Sequence, residues 1–121
     1  SYIRAIKNSG YPNLKPMDAI LLAEHGIEPG YIASLRDAGY NNLSVRQLLD
    51  FAASEVTPDF VGGISSAGFK NLPPEQLAHL SVLGVTPKFI REAQNRLGNV
   101  TVEQVIKLKQ HGLLDGADKQ D

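Results

Sequence analysis

Cysteine is absent from this 121-residue chain, which excludes disulfides, thiolate metal ligands and a cysteine nucleophile. Tryptophan is absent too, and aromatic residues make up only 7% of the chain, so any core must be largely aliphatic. No run approaches the roughly 18–20 consecutive apolar residues of a membrane span, and no signal peptide is visible. Excess charge of one sign is also lacking: 12 Lys and Arg stand against 13 Asp and Glu. That balance argues against nucleic acid as a partner, since non-specific binding to phosphates needs a basic surface. No unit-sized stretch departs from it far, with 3 basic and 3 acidic groups in residues 1–29 and 6 and 5 in residues 88–121. What the chain does have is a 42% apolar fraction, enough for a folded core.

Comparing the chain with itself is decisive. Gly10, Gly39 and Gly68 recur at intervals of 29, and Gly98 follows 30 later. The first three open one phrase: Gly10-Tyr11-Pro12-Asn13-Leu14, Gly39-Tyr40-Asn41-Asn42-Leu43 and Gly68-Phe69-Lys70-Asn71-Leu72, the fourth being cut short to Gly98-Asn99-Val100. A second phrase runs in the same register: Gly26-Ile27-Glu28-Pro29, Glu55-Val56-Thr57-Pro58 and Gly84-Val85-Thr86-Pro87. An aromatic and a β-branched residue follow it at Tyr31-Ile32, Phe60-Val61 and Phe89-Ile90, and Tyr2-Ile3 fits the same slot.

Each unit reads as two short helices. Thr57 and Thr86 before Pro58 and Pro87 are N-cap and first-position signals. Ser44-Val45-Arg46-Gln47 and Thr101-Val102-Glu103-Gln104 are capping boxes, while Pro16 and Pro74 open the second helices of the other two units. Val45, Leu48, Leu49 and Ala52 form a helical stripe with Phe51 on its flank, and the equivalents of Phe51 are Leu22, Leu80 and Leu108. Helices of about 9–12 residues are marginal alone and persist only when stacked. The predicted fold is therefore all-α: a short α-solenoid of four ~29-residue helix-turn-helix repeats, with about eight short helices. Units span about 1–29, 30–58, 59–87 and 88–113, forming a single repeat domain over 1–113, and 114–121 reads as a polar tail. Ser1-Tyr2 aligns with Gly30-Tyr31, so the register predicts a piece of a longer protein with repeats or another domain upstream.

The phrases Gly39-Tyr40-Asn41-Asn42-Leu43-Ser44, Gly84-Val85-Thr86-Pro87-Lys88-Phe89-Ile90-Arg91 and His111-Gly112 resemble a bacterial tandem repeat. Repeats of that kind are appended after membrane metallopeptidases of the beta-lactam-sensor type and occur in related bacterial proteins. The resemblance covers about residues 2–113. It departs at Ser54-Glu55, in place of His-Gly, and at the shortened last turn. The peptidase's own His-Glu-x-x-His motif is absent from the chain, so the resemblance implies an accessory, protein-binding segment and no catalytic residue.

The leading functional expectation is a non-enzymatic interaction or scaffolding module of a larger bacterial protein, with a protein partner. The alternative is a regulatory or substrate-presenting segment of a membrane-bound metallopeptidase sensor. An enzyme with a site between helices ranks third. No cofactor, metal, nucleic acid or membrane insertion is expected, and the compartment, periplasm or cytoplasm, is left open. His25 and His111 share a repeat position three units apart and His79 lies on another face, so surface histidines are favoured over ligands. Arg4, Leu21 and Arg91 are the outward-facing binding candidates. Leu21 stands where its equivalents are Asp50, His79 and Lys107, and so marks a contact to upstream structure. Tyr11, Tyr40 and Phe69 read as plugs in the interhelical turns, the Tyr hydroxyls near water, or as ligand-stacking residues. Gly62-Gly63 reads either as close helix packing or as a frayed, ligand-approached helix; Glu55, in a slot for a cap glycine, adds to the second reading and makes unit three the weakest.

Overall fold

The computed structural model describes residues 1–114, 116 and 117. Among them are eight helices and no strand: α1 (Tyr2–Asn8), α2 (Pro16–Glu24), α3 (Pro29–Asp37), α4 (Val45–Ala53), α5 (Pro58–Ser66), α6 (Pro74–Leu83), α7 (Pro87–Leu97) and α8 (Val102–Gln110). The helices pack in two rows. α1, α3, α5 and α7 touch in sequence, as do α2, α4, α6 and α8. This is a short α-solenoid of four helix pairs, each unit lying against the next.

The starts follow from the caps read in the sequence. Thr57 accepts from the Phe60 amide and Thr86 from the Phe89 amide, each at 3.0 Å. Ser44 and Thr101 close full capping boxes with Gln47 and Gln104. The turns after the helices need left-handed backbone, supplied by glycine at Gly26 (φ 69°), Gly84 (φ 78°) and Gly112 (φ 60°). In unit two the same slot holds Glu55 at φ 58°, a conformation that costs a non-glycine residue roughly 1–2 kcal/mol. Its turn otherwise closes like the others, with the Val56 amide on the Phe51 carbonyl at 2.9 Å.

The core is a single aliphatic seam carrying two fully buried aromatic rings, Phe51 and Phe89. Phe51 is central to its helix, not on the flank: Leu48 and Phe51 are the buried pair, and Val45, Leu49 and Ala52 are half-buried. The reason is that α4 is pressed from both sides, by α2 and α6, so its i, i+3 pair carries the seam. The tail expectation also changes. Leu114 and Ala117 are 3% and 6% exposed and join the core cluster, so the segment after α8 begins with two apolar anchors. The rest of 114–121, Gly116 apart, lies outside the described residues.

The paired glycines of α5 have separate roles. A Cβ on Gly63 would lie 2.6 Å from Cγ of Pro87, the first residue of α7, so α5 and α7 meet there at a distance only glycine allows. A Cβ on Gly62 would meet nothing within 4 Å. Close packing accounts for Gly63 and leaves Gly62 as an open, low-propensity position.

Candidate interaction surface

Side chains that reach backbone carbonyls at fixed offsets fasten the array both within and between its units. The Tyr2 hydroxyl donates to the Ile27 carbonyl at 2.6 Å and that of Tyr31 to the Val56 carbonyl at 2.5 Å, both spanning 25 residues. Tyr11 donates to Leu43 and Tyr40 to Leu72, each at 2.7 Å and spanning 32. The turn tyrosines therefore do not end in water. Each latches its own turn to the next unit's, while its ring plugs the helix ends, that of Tyr40 meeting Phe51 edge-on at 5.7 Å. Burial pushes all four phenols above their ordinary value, Tyr31 to about 12. For Tyr2 the nearby Glu28 carboxylate adds to that, and for Tyr11 the Arg36 guanidinium partly offsets it.

A third set of fasteners reaches backwards. Arg36 donates to the Ser9 carbonyl, and Gln94, two units later in the same register, donates to the Ala67 carbonyl at 2.8 Å. On the other row Ser81 donates to the Ser54 carbonyl at 2.7 Å. These contacts take up polar groups that helix ends would leave unpaired, and they tie neighbouring units into one strip.

Outside the seam the register changes chemistry from unit to unit. Arg4, Ala33, Gly62 and Arg91 share one position on the odd-numbered helices, and all are exposed. The two arginines thus flank a stretch without large side chains. On the even-numbered helices, Met17, Arg46, Glu75 and Glu103 form one exposed row. Asp50, His79 and Lys107 are exposed in another row, but Leu21, at its head, is half-buried. Of the three binding candidates, Arg4 and Arg91 face outward as expected. Leu21 does not do so fully, because on α2 Met17 and Ile20, 62% and 49% exposed, are the apolar side chains turned to solvent.

Shallow grooves lie where units meet. One of about 500 Å³ runs along the links from α2 to α3 and from α4 to α5, between His25, Glu28, Tyr31 and Glu55. Another of about 280 Å³ lies between α4 and α6, beside Gln47, Asp50 and Glu75. His25, His79 and His111 are all exposed, each on a different helix pair. Among the described residues no group of three or more His, Asp or Glu side chains is placed to hold a metal ion. No described helix is long and apolar enough to cross a membrane. Comparison with family models, with curated proteins and with solved structures finds no match for this chain.

Sequence reasoning missed the tyrosine latches. Their acceptors are main-chain carbonyls, which carry no sequence signature. The available signal was the alternation of Tyr and Phe within one register, at Tyr2, Tyr31, Phe60 and Phe89 and at Tyr11, Tyr40 and Phe69.

Proposed function

We propose that this array is a non-enzymatic protein-interaction module whose partner lies along the exposed register rows. One observation carries the reading: buried positions keep their chemistry through the four units while exposed positions at a single register do not. Position 6 and its equivalents are Ile6, Leu35, Ile64 and Ala93, all at 0–1% exposure, whereas the row through Arg46 runs from Met17 to Arg46, Glu75 and Glu103. A strip of fixed spacing with varied outward side chains is how solenoids obtain specificity. An ion pair such as Arg46–Asp50, at 3.3 Å and well exposed, adds little stability, so such residues are free to serve recognition.

The experiment is photo-crosslinking from single exposed positions of two rows, Arg4, Ala33 and Arg91 on the odd-numbered helices and Met17, Arg46 and Glu75 on the even-numbered ones, in extract of the source organism. The expected result is one partner captured from neighbouring positions of one row, with capture lost in Arg4→Ala/Arg91→Ala or Arg46→Ala while the helical circular dichroism is unchanged. Capture from no position, or of unrelated proteins from each, sinks the reading. The metallopeptidase-accessory alternative rests on the sequence resemblance, and co-purification of a zinc peptidase with the array would favour it.

A further inference from the structure

The groove of about 500 Å³ along the α2–α3 and α4–α5 links lies inside the array, walled on both sides by this chain. Tyr31, Ala52 and Val56 give it apolar walls, and the exposed residues Glu28 and Glu55 line it as well. Among the described residues neither carboxylate forms an ion pair. The Tyr31 hydroxyl is committed to the Val56 carbonyl and brings the groove no free proton. Only the exposed His25 ring and the Thr57 hydroxyl remain there as side-chain donors.

Main-chain acceptors add to the carboxylates. One unit later, Ser81 donates to the Ser54 carbonyl at 2.7 Å. The register puts Ala52 where Ser81 stands and His25 where Ser54 stands. Alanine has no hydroxyl, and no described side chain donates to the His25 carbonyl. The groove thus joins apolar walls to acceptors without donors, which suits a cation carried on a methylene stem.

Its surroundings have the same sign. Residues 18–69 hold seven Asp and Glu against two Lys and Arg. Both bases are engaged, Arg36 on the Ser9 carbonyl and Arg46 with Asp50, so no base of this stretch neutralises Glu28 and Glu55. The second groove, of about 280 Å³ beside Asp50 and Glu75, adjoins the first at the end of α4: Ala53 and Ser54 line one, Ala52 and Glu55 the other. Adjoining acidic grooves favour several cations on one chain over a single small cation.

We infer that the partner protein presents an extended segment bearing lysine or arginine here, with one basic side chain entering the groove between Glu28 and Glu55. This rests on the interaction-module reading above and gives its partner a chemistry.

The test is fluorescence anisotropy at about 0.15 M salt, using a labelled peptide of lysine, alanine and leucine and a second with glutamate in place of lysine. The expected result is saturable binding of one lysine peptide per chain and none of the glutamate peptide. Glu28→Gln/Glu55→Gln should weaken binding by about tenfold or more. Asp37→Asn/Glu92→Gln, which removes two charges away from the groove, should leave it unchanged. Ala52→Ser, which supplies the hydroxyl that Ser81 has, should weaken binding several-fold with every charge in place; circular dichroism checks each fold. Equal loss in the two double variants overturns the groove as the site. Absence of lysine-peptide binding, or spermidine binding as tightly as the peptide, overturns a peptide occupant. A crosslinked partner whose capture is unchanged by Glu28→Gln/Glu55→Gln overturns this inference and leaves the interaction module standing, whereas capture of no partner overturns both.

Discussion

Units one and two are joined differently from units three and four. All four tyrosines of the chain lie in the first two units, and each hydroxyl ends on a main-chain carbonyl. In the later units the same positions hold Phe60, Phe69 and Phe89, which keep the ring and lose the donor. Contact is obtained there by other means: Gly63 lets α5 meet Pro87 at the head of α7, and the Lys109 ammonium sits 5.2 Å over the Phe89 ring, while Gln94 ties α7 to the end of α5 just as Arg36 ties α3 to that of α1. The fourth unit has no turn plug at all, because α7 runs to Leu97 directly before Gly98 and its turn is shortened. One backbone geometry is thus held by tyrosine latches at one end and by a close glycine–proline contact and a cation over an aromatic ring at the other. A fixed fold does not require fixed fasteners.

High pH should separate the halves most strongly. An unfolded tyrosine loses its proton near the ordinary phenol value of about 10, while burial holds the folded phenols higher, Tyr31 to about 12. Between those values the unfolded state binds fewer protons than the native state, so stability falls as pH rises. The latch contribution is complete below about pH 10 and is lost as pH climbs through the folded values. Amide exchange at pH 11 should show units one and two opening before units three and four. Replacing Tyr2, Tyr11, Tyr31 and Tyr40 by Phe should flatten that alkaline loss, at a cost near neutrality of about 1 kcal/mol per latch. Equal opening of both halves, or an alkaline loss unchanged in the Phe variant, would show that the latches are incidental.

The repeat made the architecture legible. Glycine, proline and cap residues recurring at intervals of 29 identify turns and helix starts by their own backbone chemistry, and the eight helices fall where those signals stand. Less was legible of the surface. Exposure at Arg4 and Arg91 follows from the helical period, but Leu21 depended on how α2 is turned against α4. The latches, and the apolar anchors Leu114 and Ala117, depend on distances across the array that no local pattern encodes.

The glycines of α5 give the next effect in size. Gly63→Ala places a methyl group 2.6 Å from a ring carbon of Pro87, and overpacking of this kind costs typically about 1–3 kcal/mol, so the α5–α7 junction should weaken. Gly62→Ala adds its methyl in open space and should stabilise by up to about 1 kcal/mol through helix propensity. Thermal melts of the two variants should therefore move in opposite directions. A stabilising Gly63→Ala would mean that the close approach does not hold the later units together.

The smallest effect lies at the boundary between the two halves. Glu55 closes the turn into α5 at φ 58°, where its equivalents Gly26 and Gly84 sit at 69° and 78°. Because glycine adopts this conformation without a steric penalty, Glu55→Gly should raise stability by about 1 kcal/mol. Glycine also has more freedom to lose on folding, which trims that gain. With Gly62 in the next helix, this turn makes residues Glu55–Ser66 the weak stretch of the array, and their amides should exchange faster than those of Gly84–Asn95, which hold the same register one unit later. Both stretches are internal to the repeat, so fraying at the ends does not separate them. The Gly63–Pro87 contact opposes the difference by tying α5 to α7, and its strength sets how far exchange at Ile64 and Ser65 departs from that of the turn. Glu55→Gly combined with Gly62→Ala should bring the two stretches together. Equal exchange in the unmodified chain would show that the contact outweighs both backbone penalties, and that the boundary between the halves is not their weakest point.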